Sequence, residues 1–364
     1  MDLVLSEEQK MLQRAARDFV STRSPPGRVR TLREQGGFSR ELWAEMAKLG
    51  WLDPELPPGF SMVLHEELGR GLVAEPVLPC AVLAAGALVQ GGTDAQKKEH
   101  LPAVAAGSRL MALAHQEGGN RYSLDRVQTD AEKADGGWVL RGEKQQVMGG
   151  ATADWLVVSA ATDEGITLFL VAKGAKGLSV ERQHRLDGRD AAIVKLDAVR
   201  VGADAVVGEV DKGLPLLERV VDRATAALSA EMLGLSNAAF DMTLEYLKTR
   251  VQFGVPIGTF QALQHRAAKI FVELELARSA VMLAHAAIDD DAGDVAVARA
   301  VSVAKAKCSE VAMLVAHEGI QMHGGIGMTD EADIGLYAKR ARVAELTFGD
   351  AAFHRDRFAR IDGF

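Results

Sequence analysis

From about residue 213 onward the chain reads as four long segments of helical periodicity, near 213–249, 260–289, 294–320 and 332–359. Helices of this length joined by short connections can bury their apolar stripes only against one another, so they predict an antiparallel four-helix bundle over 209–364. Residues 1–108 also repeat at helical spacing. Ser6, followed by Glu7, Glu8 and Gln9, has the pattern of a helix N-terminus, and Leu12, Ala15, Ala16 and Phe19 continue it. Ser39 opens a second helix carried on by Trp43, Met46, Ala47 and Leu49. Pro54, Pro57, Pro58 and Gly59 then mark a loop, after which the spacing resumes over 62–72 and 81–89. A short helix starts at Thr93 and Asp94 and ends near Gly107.

The texture changes between 109 and 208. Trp138-Val139-Leu140, Trp155-Leu156-Val157-Val158, Ile166 to Val171 and Ile193 to Leu196 are short β-prone runs. Asp135-Gly136-Gly137 and Asp163-Glu164-Gly165 are hairpin signals between them. Strands at this spacing predict a small β barrel or sandwich. The fold class expected is therefore α+β in three domains: helical 1–108, β 109–208 and a helical bundle 209–364.

Composition narrows the function. A chain of 364 residues that is 48% hydrophobic has more than one core's worth of apolar side chains. The 42 basic residues against 50 acidic ones give −8, which argues against nonspecific nucleic-acid binding, since phosphate charge would go uncompensated. No apolar run reaches the roughly 18–20 residues of a membrane span. The start MDLVLSEEQKMLQ has no basic stretch followed by an apolar one, so a cytoplasmic protein is expected. Cys80 and Cys308 lie in apolar, helix-like runs and are expected as buried free thiols of a reducing compartment. His65, His100, His285 and His317 have no ligand spacing, so no metal is expected. Glu66 and Glu67, on a predicted helix, are expected at the surface.

Two helix junctions carry the chemistry. Arg250-Val251-Gln252-Phe253-Gly254-Val255-Pro256 runs on to Phe260-Gln261 between two long helices. One reading makes Arg250 and Gln252 donors to a diphosphate or ribose, with Phe253 against a flat ring; the planar guanidinium donates two parallel bonds to phosphate. The other is a helix hairpin with a solvated arginine. Gln321-Met322-His323-Gly324-Gly325-Ile326-Gly327-Met328-Thr329 places three glycines within four positions after a helix. It is either a backbone approach to a ligand or a glycine cap with its turn.

Together, RxQFGxPIxxFQ and QxHGGxGMTxE, at this separation in a C-terminal helical region, resemble the acyl-CoA dehydrogenases, and the resemblance covers nearly the whole chain. It implies a helical, β and four-helix fold, FAD as cofactor, and oxidation of the Cα–Cβ bond of an acyl-CoA by a homo- or hetero-oligomer. It also implies fatty-acid or steroid side-chain catabolism and an electron-transfer flavoprotein as acceptor. Arg250, Gln252 and Phe253 match the segment that contacts FAD from a neighbouring subunit, and Phe260 and Gln261 an adenine-side contact. Gln321, Gly324 and Gly325 match the cradle of the FAD diphosphate, with His323 as a cofactor-side donor. Gln116 matches a contact to the ring, and Asp222 and Tyr246 match substrate contacts.

The same resemblance shows departures. The family's carboxylate base, counted from the glycine motif, falls on Phe348; the alternative base position, counted back from Arg250, falls on Ala224. Asp222, within one turn of Ala224, is the remaining candidate base. The loop that meets the flavin ring reads His115-Gln116-Glu117-Gly118-Gly119-Asn120-Arg121, and the element that bonds the ring's edge reads Gln146-Val147-Met148, where Met148 is no donor. These departures fit a subunit that completes the FAD site of a catalytic partner, or a related flavoenzyme without a glutamate base.

Overall fold

The computed structural model describes residues 4–364. The first helices are α1 (Glu7–Arg23), α2 (Arg28–Glu34), α3 (Arg40–Lys48) and α4 (Pro58–Arg70). A π-helical stretch, Leu78–Ala84, runs into α5 (Ala85–Gly91), and α6 (Asp94–Ala105) follows. The strands are β1 (Met111–Ala114), β2 (Asp130–Ala134), β3 (Gly137–Met148), β4 (Trp155–Ala161), β5 (Ile166–Ala172), β6 (Leu178–Arg182), β7 (Ala191–Gly202) and β8 (Val206–Val207). Then come α7 (Gly213–Thr249), the two-residue strands β9 (Val251–Gln252) and β10 (Val255–Pro256), α8 (Gln261–Asp289), α9 (Asp294–His323), α10 (Ile334–Leu346) and α11 (Ala351–Ile361). Among the described residues no helix is long and apolar enough to cross a membrane.

Local chemistry accounts for the helix starts. Ser6 and Thr93 each accept from the amide three residues on, Gln9 and Gln96, whose side chains bond back to the cap amides. Ser39 caps α3 through Leu42 N. Helix α4 begins four residues before Met62 because Pro58 sits in its first turn, where a missing N–H is no loss. The fourth long segment divides into α10 and α11 at Thr347–Asp350, because Phe348 takes a left-handed φ of +60° and Gly349 one of +119°.

The described chain forms two compact units, which divide within α7 after Ala224. The mainly helical unit comprises residues up to Thr31, Pro57–Val73 and Thr225–Phe364. Helix α9 packs against α8, α10 and α11, and α4 packs against α1 and α8. Helices α4 and α7 cross at reciprocal glycines: a side chain on Gly69 would strike the Glu231 backbone, and one on Gly234 the Glu66 backbone. The crossing buries three carboxylates, and each takes an arginine. Glu66 pairs with Arg278 at 3.0 Å, Glu67 with Arg17 at 2.6 Å, and Glu231 with Arg340 at 2.8 and 3.0 Å. Glu66 and Glu67, expected at the surface, are thus buried, because partners distant in sequence neutralise them.

The other unit comprises Leu32–Leu56 and Ala74–Ala224. Its eight strands make one mixed sheet in the order β6-β7-β3-β2-β4-β5-β8, with β1 parallel to β4. The β2–β3 hairpin turns at Asp135-Gly136, and the β4–β5 hairpin closes where Thr162 N donates to Gly165 O at 2.8 Å. Alternate residues of β3, β4, β5 and β7 build one core, with Trp138 against Phe169 at 5.4 Å between ring centroids. Helix α6 is tied to the sheet's end by Gln96, which donates to Asp204 O and Val206 O at 2.8 and 2.9 Å. Cys80 and Cys308 are free and buried.

Candidate functional site

The junction between α7 and α8 is a miniature hairpin. Gln252 pairs with Val255, and the two residues between them, Phe253 and Gly254, have φ of +54° and +80°. Both central residues are left-handed, as in a type I′ turn, where glycine or asparagine is the usual choice at the first position. Phe253 occupies it instead and is 94% exposed, edge-on to Phe260 with ring centroids 6.1 Å apart. Arg250, Gln252, Phe260 and Gln261 are exposed as well. Main-chain bonds fix the stem: Arg250 N donates to Tyr246 O at 2.9 Å, and Ile257 N donates to Arg250 O at 2.8 Å. Gln252 Nε2 turns back to Val251 O at 2.7 Å.

The glycine motif ends α9 and forms a tight turn, Gly324–Met328. Gly324, at φ +66°, and Gly325 both face open space, since a side chain on either would meet nothing within 4 Å. Gly327 is packed against Ile320 O and His323. Gln321 is exposed. His323 is buried; its Nδ1 donates to Gly319 O at 2.7 Å, and its ring stacks on Tyr246 at 4.5 Å and 25°. Tyr246 lies one helical turn before Arg250, so this stack joins the glycine turn to the foot of the hairpin. The sequence reading of Tyr246 as a substrate contact and His323 as a cofactor-side donor did not foresee that they face each other.

These groups fit the diphosphate of FAD. An anionic diphosphate needs a cationic fork and a close backbone approach, and Arg250 and the open Gly324–Gly325 turn offer both on a solvent-facing surface.

The loop after β1 is built differently. Glu117 is buried and accepts from Gln128 N at 2.6 Å, Thr129 N at 2.9 Å, Asn120 Nδ2 at 3.3 Å and Lys144 Nζ at 2.6 Å. Lys144, fully buried on β3, also donates to Ser159 Oγ at 3.1 Å. Burial pushes the Lys144 amine down to about 8 against the upward pull of Glu117. Burial raises Glu117, but the Lys144 charge and the hydrogen bonds from Lys144 and Thr129 outweigh it and hold the carboxyl below its ordinary range. Burial, with the Lys144 charge, takes His115 down to about 4.

Gln116 is half-buried, and its carbonyl accepts from Gln145 N at 2.9 Å. The β3–β7 register slips between Lys144 and Val147, Gln146 takes φ +54°, and Met148 stands opposite Ala191. The loop amides of Gln128 and Thr129 are therefore turned onto Glu117, and Met148 carries no N–H or O–H on its side chain. Met148 therefore offers no donor to the edge of a flavin ring, whereas the Gln116 side-chain amide carries one.

Sequence reasoning singled out neither Glu117 nor Lys144. A signal was present: Lys144 shares the inward face of β3 with Trp138 and Leu140, and a lysine on that face needs a carboxylate. Phe348 and Ala224, at the positions the resemblance gives to the base, are both buried and neither is titratable; Asp222 is buried on α7.

The chain matches the N-terminal domain of acyl-CoA dehydrogenase over residues 6–108, the middle domain over 111–199 and the C-terminal domain over 211–361. Acryloyl-CoA reductase (NADH) of Anaerotignum propionicum is 28% identical over 380 residues, 99% of this chain and 95% of its own length. A solved structure of the Tcur3481-Tcur3483 steroid ACAD is 33% identical with a TM-score of 0.89, covering 98% of each chain. A chain of the ChsE4-ChsE5 complex from Mycobacterium tuberculosis is 27% identical with a TM-score of 0.90, covering 99% of this chain and 98% of its own. The chain belongs to the acyl-CoA dehydrogenase family, whose members are FAD-dependent.

Proposed function

We propose that this chain is a subunit of an oligomeric acyl-CoA dehydrogenase that completes the FAD site of a related partner chain, the assembly carrying out α,β-dehydrogenation of an acyl-CoA. The observation that carries this reading is the contrast between two sets of candidate residues, each taken within its own unit. The hairpin and glycine turn are exposed and open, while the chain's own ring-side loop is closed on the Glu117–Lys144 pair. FAD, when bound, supplies the hydride acceptor for the reaction. Arg250 and Gln252 would hold the diphosphate and ribose, the Gly324–Gly325 backbone would approach the diphosphate, and Phe253, Phe260, Gln261 and Gln321 would line the adenine side.

Phe348 and Ala224 cannot take the Cα proton, so the base comes from the partner chain. The acyl group is a fatty-acid or steroid side chain, and an electron-transfer flavoprotein takes the electrons, as the resemblance implies. One observation favours a second reading, in which the chain is itself active with Asp222 as base: Asp222 is buried on the helix that carries the alternative base position. Gln116, Asp222 and Tyr246 would then contact the ring or the substrate.

The test is the flavin content of the purified chain alone and co-expressed with related dehydrogenase chains. Colourless protein that gains flavin absorbance and acyl-CoA-dependent bleaching only with a partner is the expected result. Stoichiometric flavin that bleaches in the lone chain would overturn it. Bleaching abolished by Asp222→Asn in the lone chain would establish the second reading.

A further inference from the structure

Three main-chain carbonyls at the junction of α10 and α11 converge on two buried side chains. Lys305 Nζ, from α9, donates to Glu345 O at 2.8 Å, Gly349 O at 2.6 Å and Ser309 Oγ at 3.1 Å. His354 Nε2, from α11, donates to Phe348 O at 3.1 Å, with its Nδ1 at 3.4 Å from Ser302 Oγ. Lys305 is 0% and His354 1% exposed. The last carbonyls of a helix have no partner within it. At the end of α10, Val343 O accepts from Thr347 Oγ1, Ala344 O from Thr347 N, and Glu345 O from Lys305.

The backbone held in this way is unfavourable by itself. Phe348 is a buried, left-handed phenylalanine, and a side chain at Gly349 would press on Phe353 and His354. Such a conformation persists where the surroundings over-determine it. An ammonium removed from water, with three acceptors none of which is a carboxylate, is likewise a costly group to keep. The two oddities explain each other. We propose that Lys305 is the positioning residue of this junction: its charged amine fixes the left-handed backbone at Phe348, and so the direction of the side chain at 348, and loss of its proton loosens the junction.

A neutral amine keeps two N–H groups and turns a lone pair toward the third acceptor. The titratable and charged groups around it are Cys308 on α9, Arg340 with its partner Glu231, Glu345 on α10, and Asp350, His354 and Arg357 by α11. Burial pushes Lys305 down to about 7, with Cys308, Glu345 and Asp350 opposing and Arg340 assisting. Burial takes His354 down to about 3 and Cys308 up to about 12, so neither changes charge near neutrality. Because the folded amine lies below its ordinary 10.5, the unfolded chain binds more protons between about 7 and 10.5. This group's contribution to overall stability therefore rises with pH across that window while the junction loosens. A general weakening of the fold would move both in the same direction.

Hydrogen–deuterium exchange on the full chain at about pH 6 and about pH 8.5, corrected for intrinsic rate, separates the two. Peptides spanning 343–354 are expected to exchange about fivefold faster at the higher pH, the difference between a charge-assisted bond and a neutral one. The midpoint of urea unfolding should not fall over the same change. In Lys305→Met the same peptides should exchange fast at both pH values, without pH dependence. Should that variant fail to fold, the wild-type profile decides. Exchange at the junction that is independent of pH, or that accelerates only as overall stability falls, overturns the proposal.

Discussion

The loop that follows β1 and the hairpin that joins α7 to α8 solve opposite problems. In the first, a carboxylate and an amine are withdrawn from water and satisfy each other, with two loop amides on the carboxylate. In the second, an arginine, a glutamine and two phenylalanines stand in solvent on a stem fixed by main-chain bonds. The first resembles protein interior, while the second resembles half of an interface. The contrast teaches that one loop can become interior while another junction of the same chain stays open to solvent. On the proposed reading the parts answer to different pressures, the first to folding of this chain and the second to what another chain requires.

The sharpest way to break this contrast is to remove Lys144. Lys144→Met leaves the Glu117 carboxylate buried without its cation and should destabilise the chain by about 3–5 kcal/mol, read from urea unfolding. Arg250→Ala should do the reverse. An exposed arginine on a hairpin stem should change stability by less than about 0.5 kcal/mol. Its loss should weaken flavin retention in the assembled complex by roughly 10- to 100-fold, the range of a charge-assisted bond to phosphate. If Arg250→Ala destabilises the lone chain and leaves flavin content unchanged, the hairpin is a structural element and the contrast collapses.

How far the sequence foretold this molecule depends on the distance over which each decision is taken. Helix starts at Ser6, Ser39 and Thr93 are settled within four residues, and their caps were legible. So were α7, α8 and α9, whose periodicity repeats over many turns. The burial of Glu66 was not legible, because Arg278 lies 212 positions away; that of Glu67 depends on Arg17, 50 positions away. The break between α10 and α11 was missed because its left-handed backbone is imposed by Lys305 and His354, against what Phe348 would choose locally. The candidate residues divide in the same way. The glycine and arginine motifs are local and readable, whereas the Glu117–Lys144 pair is a contact between a loop and a strand.

A smaller effect tests the closed loop through pH. Glu117 is held below its ordinary carboxylate range, so the stability it contributes is fully present above about 4.5 and is lost as pH falls through the lowered folded value. Glu117→Gln removes that titration. Acid unfolding of the wild type should therefore show a loss below about pH 4.5 that is shallower in the variant. Identical acid limbs would mean that the Lys144 pair contributes nothing to the loop's closure.

The smallest effect is the most direct probe of the open hairpin. Phe253 holds a left-handed backbone with its ring 94% exposed, a conformation that asparagine adopts readily and phenylalanine does not. If the hairpin served only this chain, Phe253→Asn would be an improvement in every respect. The turn should gain about 0.5–1 kcal/mol, and nothing should be lost. If the ring is kept for a partner's cofactor, the same substitution should raise the Tm of the lone chain slightly while lowering flavin retention in the assembly a few-fold. The two measurements must move in opposite directions, because the left-handed strain at Phe253 outweighs its one edge contact, to Phe260, within the chain that bears it.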